Sequence, residues 1–179
     1  MTSTTTSTAT STATATATTS PILIVNSTGD GSDADAGDGR CETTTGGECT
    51  LRAALEVANA GGVSEIRFGI PVGDPGHSGG VWVIRPMSAL PGVSVNVNGQ
   101  TQPGWGSVAV IEVNGSLAGG ADGLTLNAAG VAVRGLAVTG FGGDGVQVNA
   151  DGVVLEGNLI GERADGSAAG NGGAGVYVA

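Results

Sequence analysis

A segment of 22 residues that occurs twice in direct succession constrains this chain more than any other feature. Residues 122–143 read DGLTLNAAGVAVRGLAVTGFGG, and the chain from 144 onward reads DGVQVNADGVVLEGNLIGERADG. The copies share Asp, Gly and Asn at equivalent positions, and most other positions exchange one aliphatic residue for another. A direct repeat of this length, built from short β-branched runs and glycine, is typical of solenoids. The repeat therefore predicts a parallel β-helix.

Glycine content and charge narrow the class of protein. Glycine supplies 35 of the 179 residues, whereas 12% are charged and only 3% are aromatic. This composition fits stacked aliphatic coils better than a helical bundle or a disordered acidic tail. The net charge of −10 argues against a basic surface for nucleic acid or anionic membranes. No apolar run reaches the roughly 18 residues of a membrane span, so we predict no membrane insertion.

The N-terminal residues 1–20 form a separate region. After Met1 they contain only Thr, Ser and Ala. Such tracts are typical of linkers, and this one lacks the basic and apolar regions of a conventional signal peptide. We predict a low-complexity linker or disordered end over 1–20, with the true N-terminus upstream of it.

Stacking of the two copies predicts specific side-chain neighbours. In register, Asn127 lies over Asn149 as an amide ladder, and Arg134 lies beside Glu156 as an exposed ion pair. Residues 158–173 exceed the repeat by about eight residues, and such an insertion maps to a loop on one face, often the binding face.

The only two cysteines, Cys41 and Cys49, lie close together in the chain. A disulfide between them closes a short loop and implies an oxidising, extracytoplasmic location. Free thiols are one alternative; a zinc site is another, but it needs two more ligands, and His77 is the single histidine. We predict the disulfide and interpret His77, in a Gly/Pro-rich segment, as a solvated loop residue.

An acidic loop precedes the cysteines. It carries four aspartates separated by small residues: Asp30, Asp33, Asp35 and Asp38. They are the candidate ligands of a calcium ion, although Gly37 stands where the EF-hand pattern expects a ligand. The alternative is a solvated acidic turn. No cofactor is expected to be required, and calcium is the one candidate.

A short helix is predicted after the second cysteine. Thr50 is a candidate N-cap for a helix over 51–60 (LRAALEVANA), which Gly61 ends. Its apolar positions form a single stripe, which we expect to cover the open end of the first coil. Arg52 and Glu56 are four residues apart and are predicted to form a weak surface pair.

The sequence contains no recognisable catalytic constellation, and no catalytic residue is predicted. Asp122 and Asp144 occupy equivalent positions, but each precedes Gly, which indicates a turn residue that binds backbone. Among the aromatic residues, Trp105 in a TQPGW turn is the candidate for stacking on a glycan, and the alternative is that it packs locally within the turn. Trp82 lies in an apolar run and is expected to be packed.

Several segments carry a family resemblance. VNSTGDGSDADAGDGRC (25–41) and CTLRAALEVANA (49–60) resemble the CSLREAI-type N-terminal module of secreted bacterial right-handed parallel β-helix (pectin-lyase-like) repeat proteins. The resemblance continues through NGQTQPGW (98–105) and EGNLIG (156–161), with Ala53 in place of the motif's usual Glu. It implies an extracellular or cell-surface setting and carries no single activity.

Together these inferences predict an all-β fold, a right-handed parallel β-helix solenoid with a short N-terminal capping α-helix. We divide the chain into a linker (1–20), a cap with the acidic loop, disulfide and helix (21–62), and coils (63–179) truncated at the C-terminus. The predicted function is that of a secreted or cell-surface structural or adhesive protein. The alternatives are a polysaccharide-active lyase or hydrolase fragment and a glycan-binding module.

The predicted partners follow from that function. They are extracellular polysaccharides or cell-surface glycans, and not nucleic acid. The open C-terminal coil is also expected to permit end-to-end self-association, because an unpaired strand edge can pair with another chain.

Overall fold

The computed structural model describes Met1 and residues 20–179, so the predicted linker lies almost entirely outside the described residues. Within them the chain forms one α-helix, α1 (Leu51–Ala60), and thirteen strands. The strands are β1 (Ile22–Val25), β2 (Glu65–Phe68), β3 (His77–Ser78), β4 (Val81–Ile84), β5 (Asn96–Asn98), β6 (Ile111–Asn114), β7 (Leu124–Leu126), β8 (Ala132–Arg134), β9 (Leu136–Thr139), β10 (Val146–Val148), β11 (Val154–Glu156), β12 (Leu159–Ile160) and β13 (Val176–Val178).

The strands belong to three sheets. Sheet 1 has the order β1-β2-β5-β8-β11, sheet 2 the order β7-β10-β13, and sheet 3 the order β3-β4-β6-β9-β12. Neighbouring strands run parallel except for β3 and β4, which are antiparallel. Since β7, β8 and β9 lie in three different sheets, as do β10, β11 and β12, each copy of the repeat contributes one strand to every sheet.

The two copies of the repeat stack in register, as the sequence predicts. Strands β7 and β10, β8 and β11, and β9 and β12 pair at a separation of 22 residues. The predicted amide ladder is present, because Asn149 Nδ2 donates to Asn127 Oδ1 at 2.9 Å. The predicted ion pair is present too, with Arg134 Nε 2.9 Å from Glu156 Oε2. Both side-chain contacts are therefore confirmed.

The prediction of an all-β, right-handed parallel β-helix solenoid is wrong. Sheet 3 is mixed, and α1 is part of the core rather than a lid on an all-β stack. Strand partners are 43 residues apart in β1–β2, where Ile22 faces Glu65, and 31 apart in β2–β5, where Glu65 faces Asn96. The first of these crossovers contains α1 and the second contains the antiparallel strands β3 and β4, so no regular solenoid runs through the described chain. The fold is α/β-like, with parallel sheets and an integrated helix.

The core lies between the sheets and beneath α1. Alternation along each strand turns every second residue inward. In sheet 1 this places one buried column in register across four strands, formed by Leu23, Ile66, Val97 and Val133. Such a column removes apolar surface from water at every strand and fixes the register, because a slip of one residue would expose it.

Helix α1 has the predicted bounds. Thr50 Oγ1 accepts from the Ala53 backbone N–H at 3.0 Å, as expected of an N-cap, and Gly61 follows the last helical residue. The helix is buried on more than the predicted stripe, since Arg52 and Ala53 are buried together with its apolar residues. Hence α1 packs on several sides.

Candidate functional site

The disulfide forms as predicted. Cys41 and Cys49 are bonded, with their Cα atoms 5.1 Å apart. The bond ties the acidic loop to the start of α1, because Thr50 follows Cys49 directly and its hydroxyl donates to Gly31 O at 2.6 Å. The loop is thus held against the helix at both ends.

The first aspartate of the acidic loop is buried in an ion pair. Arg52 Nε donates to Asp30 Oδ1 at 3.0 Å, and Arg52 Nη2 donates to Asp30 Oδ2 at 3.1 Å. The guanidinium also donates to the carbonyls of Ser88 and Ala89. The predicted surface pair of Arg52 with Glu56 is wrong, because Arg52 turns to the acidic loop instead.

The other three aspartates accept hydrogen bonds from nearby backbone. Asp33 accepts from the N–H groups of residues 35 and 42, Asp35 from that of residue 37, and Asp38 from that of residue 40. The described residues contain no group of three or more His, Cys, Asp or Glu side chains placed to share a metal ion. The structure therefore does not bring Asp30, Asp33, Asp35 and Asp38 together, and calcium binding stays one of the two predicted alternatives beside a solvated acidic turn.

Trp105 is half-buried and covers a pair of stacked turn glycines. Its ring atom Cζ3 lies 2.9 Å from the position a Cβ would take on Gly135, and its Cη2 lies 3.9 Å from that position on Gly157. One edge of the ring thus packs against the backbone of both copies and is not free to contact a ligand. Stacking of Trp105 on a glycan remains a prediction.

Trp82 is buried, as predicted, and its ring N–H donates to the carbonyl of Pro71 at 3.1 Å. His77 stacks on it, with ring centroids 4.3 Å apart, and bonds the carbonyl of Val72 through Nδ1 at 2.9 Å. The interpretation of His77 as a solvated loop residue is wrong. Its position in β3, directly opposite Trp82, brings the two rings together.

The insertion predicted to map to a binding face folds over the outer side of sheet 3. Within it, an antiparallel bridge joins Glu162 to Ala168, and the N–H of Arg163 donates to Ser167 O at 3.0 Å. The loop brings Arg163 within 3.7 Å of Glu112 on β6. We call the space between this loop, β4 and β6 the Glu112 groove.

Glu112 is the most buried carboxylate of the groove, and sequence reasoning missed it. Its side chain is only 5% exposed. Oε1 accepts from Thr139 Oγ1 at 2.7 Å and from Asn114 Nδ2 at 2.9 Å, and Arg163 Nε approaches the same atom. Alternation in IEVN over β6 points Glu112 outward between two inward aliphatic residues, and this is the signal that could have found it.

The Glu112 groove encloses about 270 Å³. It is lined on its apolar side by Val81 and Val83 of β4 and on its polar side by Ser78, Glu112, Arg163 and Asp165. A concave, partly apolar surface with a few convergent polar groups is the usual form of a small-molecule site.

The Asp165 carboxylate places a negative charge at the edge of the Glu112 groove. The Ser167 side chain and then its backbone N–H bind the Asp165 carboxylate and lower the pKa of Asp165 below its ordinary value of 3.8, with a smaller contribution from Arg163. Asp165 is therefore ionised at neutral pH and holds the turn of the loop.

A larger cavity, of about 420 Å³, lies at the end of the stack among residues of β10, β11 and β13. Its lining is mainly aliphatic, including Val148, Leu155 and Val176. Because the apolar lining lacks convergent charged groups, it is a less specific candidate for recognition than the Glu112 groove.

No family model, curated protein or solved structure matches this chain. Among the described residues, no helix combines the length and apolar character needed to cross a bilayer. The disulfide is consistent with an oxidising compartment.

Proposed function

We propose that this chain is an extracellular structural or adhesive surface protein of the CSLREAI type. The observation that carries the proposal is that polar side chains of the repeat bind the backbone of the neighbouring part of the stack. Asp122 Oδ1 accepts from the N–H of Asp144 at 2.7 Å, and Asp144 Oδ1 accepts from the N–H of Ala174 at 2.6 Å. The first bond joins the two copies and the second joins the second copy to the chain that follows it, so these carboxylates do not converge on a groove.

An asparagine joins the copies in the same way. Asn158 Oδ1 accepts from the N–H of Leu136 at 3.0 Å, and Asn158 Nδ2 donates to the carbonyl of Val133 at 2.8 Å. Part-buried polar groups bonded like this hold neighbouring strands in a fixed arrangement. The disulfide supports a secreted or cell-surface location, since such bonds persist outside the reducing cytosol.

The test has two parts. An antibody against the described domain is applied to intact and to permeabilised cells that make the protein, and we expect equal labelling of both. The purified chain is then incubated with a panel of acidic and neutral polysaccharides, and we expect no new reducing or unsaturated chain ends. Labelling that requires permeabilisation would contradict the location, and chain cleavage would establish the polysaccharide-active alternative.

A further inference from the structure

One oxygen of Glu112 has no partner among the described residues. The two hydrogen bonds to this carboxylate and the approach of Arg163 all involve Oε1. Oε2 keeps a little exposed surface, because the only fully buried side-chain polar atom without a partner in the described part of the chain is Ser94 Oγ. The carboxylate is thus held through one oxygen, and its other oxygen belongs to a side chain that lines the groove.

A guanidinium stands beside the same carboxylate, with Arg163 Nε 3.7 Å from Oε1. Arg163 Nη1 donates to Ser167 Oγ at 3.3 Å and to Ala168 O at 3.2 Å, which fixes the group at the groove's edge. The Arg163 side chain remains 42% exposed, so the guanidinium keeps N–H groups that a ligand can reach. An acceptor and a set of donors are thereby presented side by side.

The charges decide which class of ligand fits. A metal ion at Oε2 is opposed by the guanidinium of Arg163, 3.7 Å from the same carboxylate. An anion is opposed by Glu112, by Asp165 and by the net charge of −10. A neutral molecule with adjacent hydroxyl groups meets neither cost, because one hydroxyl can donate to the carboxylate while its neighbour accepts from the guanidinium.

The floor of the groove and its size point to the same class. Val81 and Val83 offer an aliphatic surface on which the C–H face of a sugar ring can pack. The volume of about 270 Å³ is slightly below the roughly 300 Å³ at which small-molecule sites begin. It therefore suits a single sugar unit rather than a long oligosaccharide held along its length.

We infer that the Glu112 groove binds one unit of a neutral glycan, with Glu112 Oε2 and Arg163 contacting a pair of adjacent hydroxyls. The inference goes beyond the scaffold role, since it assigns a recognition site to sheet 3. It does not depend on cell-surface location, so either proposal can fail while the other stands.

The experiment is an NMR titration of the ¹⁵N-labelled chain with neutral methyl hexosides (glucoside, galactoside and mannoside), and separately with galacturonate and with calcium chloride. We expect at least one neutral hexoside to shift the amides of Val81, Val83, Glu112 and Arg163 in a saturable way. Glu112→Gln and Arg163→Ala are each expected to weaken this binding at least about tenfold, as loss of a charge-assisted hydrogen bond predicts.

Glu156→Gln is the matched control, because Glu156 also pairs with an arginine but lies on sheet 1. We expect this variant to bind the hexoside with the affinity of the original chain. Arg163→Ala changes a half-exposed loop residue, so it tests the inference even where Glu112→Gln disturbs the packing around β6. Amide shifts outside the groove report whether each variant keeps its fold.

The inference is overturned by any of three results. The first is that no neutral hexoside gives saturable shifts in the groove. The second is that Arg163→Ala, or a folded Glu112→Gln, binds as tightly as the original chain. The third is that galacturonate or calcium binds the groove more tightly than every neutral hexoside.

Discussion

Arg52 and Asp30 form the most enclosed charged pair among the described residues. Their side chains are only 10% and 7% exposed, and Asp30 also accepts from the backbone N–H of Met87 at 2.8 Å. Removing one member of such a pair leaves the other charge buried without compensation, which is far more costly than the loss of a surface pair.

We expect Asp30→Asn to lower the free energy of unfolding by about 3–5 kcal/mol. The substitution keeps the size of the side chain but leaves the buried Arg52 charge without an opposite charge. Asp38→Asn is the matched control: Asp38 is exposed in the same loop, and its effect should stay within about 0.5 kcal/mol. Urea unfolding followed by circular dichroism measures both. Equal effects of the two substitutions would show that the pair contributes little.

Contacts between residues far apart in the chain could be predicted only where the sequence repeats, whereas local contacts such as the Cys41–Cys49 disulfide and the Thr50 cap could be predicted elsewhere. The pairs Asn127–Asn149 and Arg134–Glu156 follow from a shared register alone. The pair Arg52–Asp30 could not be predicted in this way, because nothing in the sequence aligns the acidic loop with α1. The approach of Arg163 to Glu112 depends on how an insertion folds back, which spacing does not specify.

At the scale of elements, the copies approach so closely that several turns leave no room for a side chain. A Cβ on Gly123 would overlap the carbonyl oxygen of Gly145 and lie 2.7 Å from Val138 Cγ1. Backbone cannot yield there as the end of a flexible side chain would, so the contact requires glycine for its size.

Gly123→Ala is therefore expected to destabilise the chain by about 1–3 kcal/mol through overpacking. Gly120→Ala, a few residues earlier, is the control, because a Cβ on Gly120 meets nothing within 4 Å. Thermal unfolding of the two variants makes the comparison. A Gly123 variant as stable as the Gly120 variant would mean that the copies can move apart without cost.

The helix and the repeat strands were predictable, but their assembly was not. Capping by Thr50 and the glycine after Ala60 give the bounds of α1 from local chemistry. The antiparallel pairing of β3 with β4 and the burial of α1 depend on long-range packing. The all-β prediction failed because it extended the 22-residue repeat to a part of the chain where strand partners are farther apart.

For the whole molecule, we expect stability to be independent of calcium. Each aspartate of the acidic loop already accepts backbone or arginine hydrogen bonds. Calcium at 100 times its dissociation constant would add about 2.7 kcal/mol, or roughly 5–10 °C in Tm for a chain of this size. Tm is compared in calcium, in chelator and in magnesium, the last as the ionic control. A rise in calcium alone would establish the predicted metal site.

The bond from each repeat aspartate to the chain that follows its copy has a consequence for how chains of this kind can change in length. Asp122 accepts a hydrogen bond from the N–H of Asp144, and Asp144 accepts one from the N–H of Ala174. The second pair is separated by eight more residues than the first. A copy thus presents the same acceptor to whatever follows it. Duplication or deletion of a whole copy preserves this junction, and extra residues between junctions become outer loops. Gene-level expansion in complete copies therefore keeps these contacts, whereas loss of a single residue within a strand would shift the register of the strand residues that follow it.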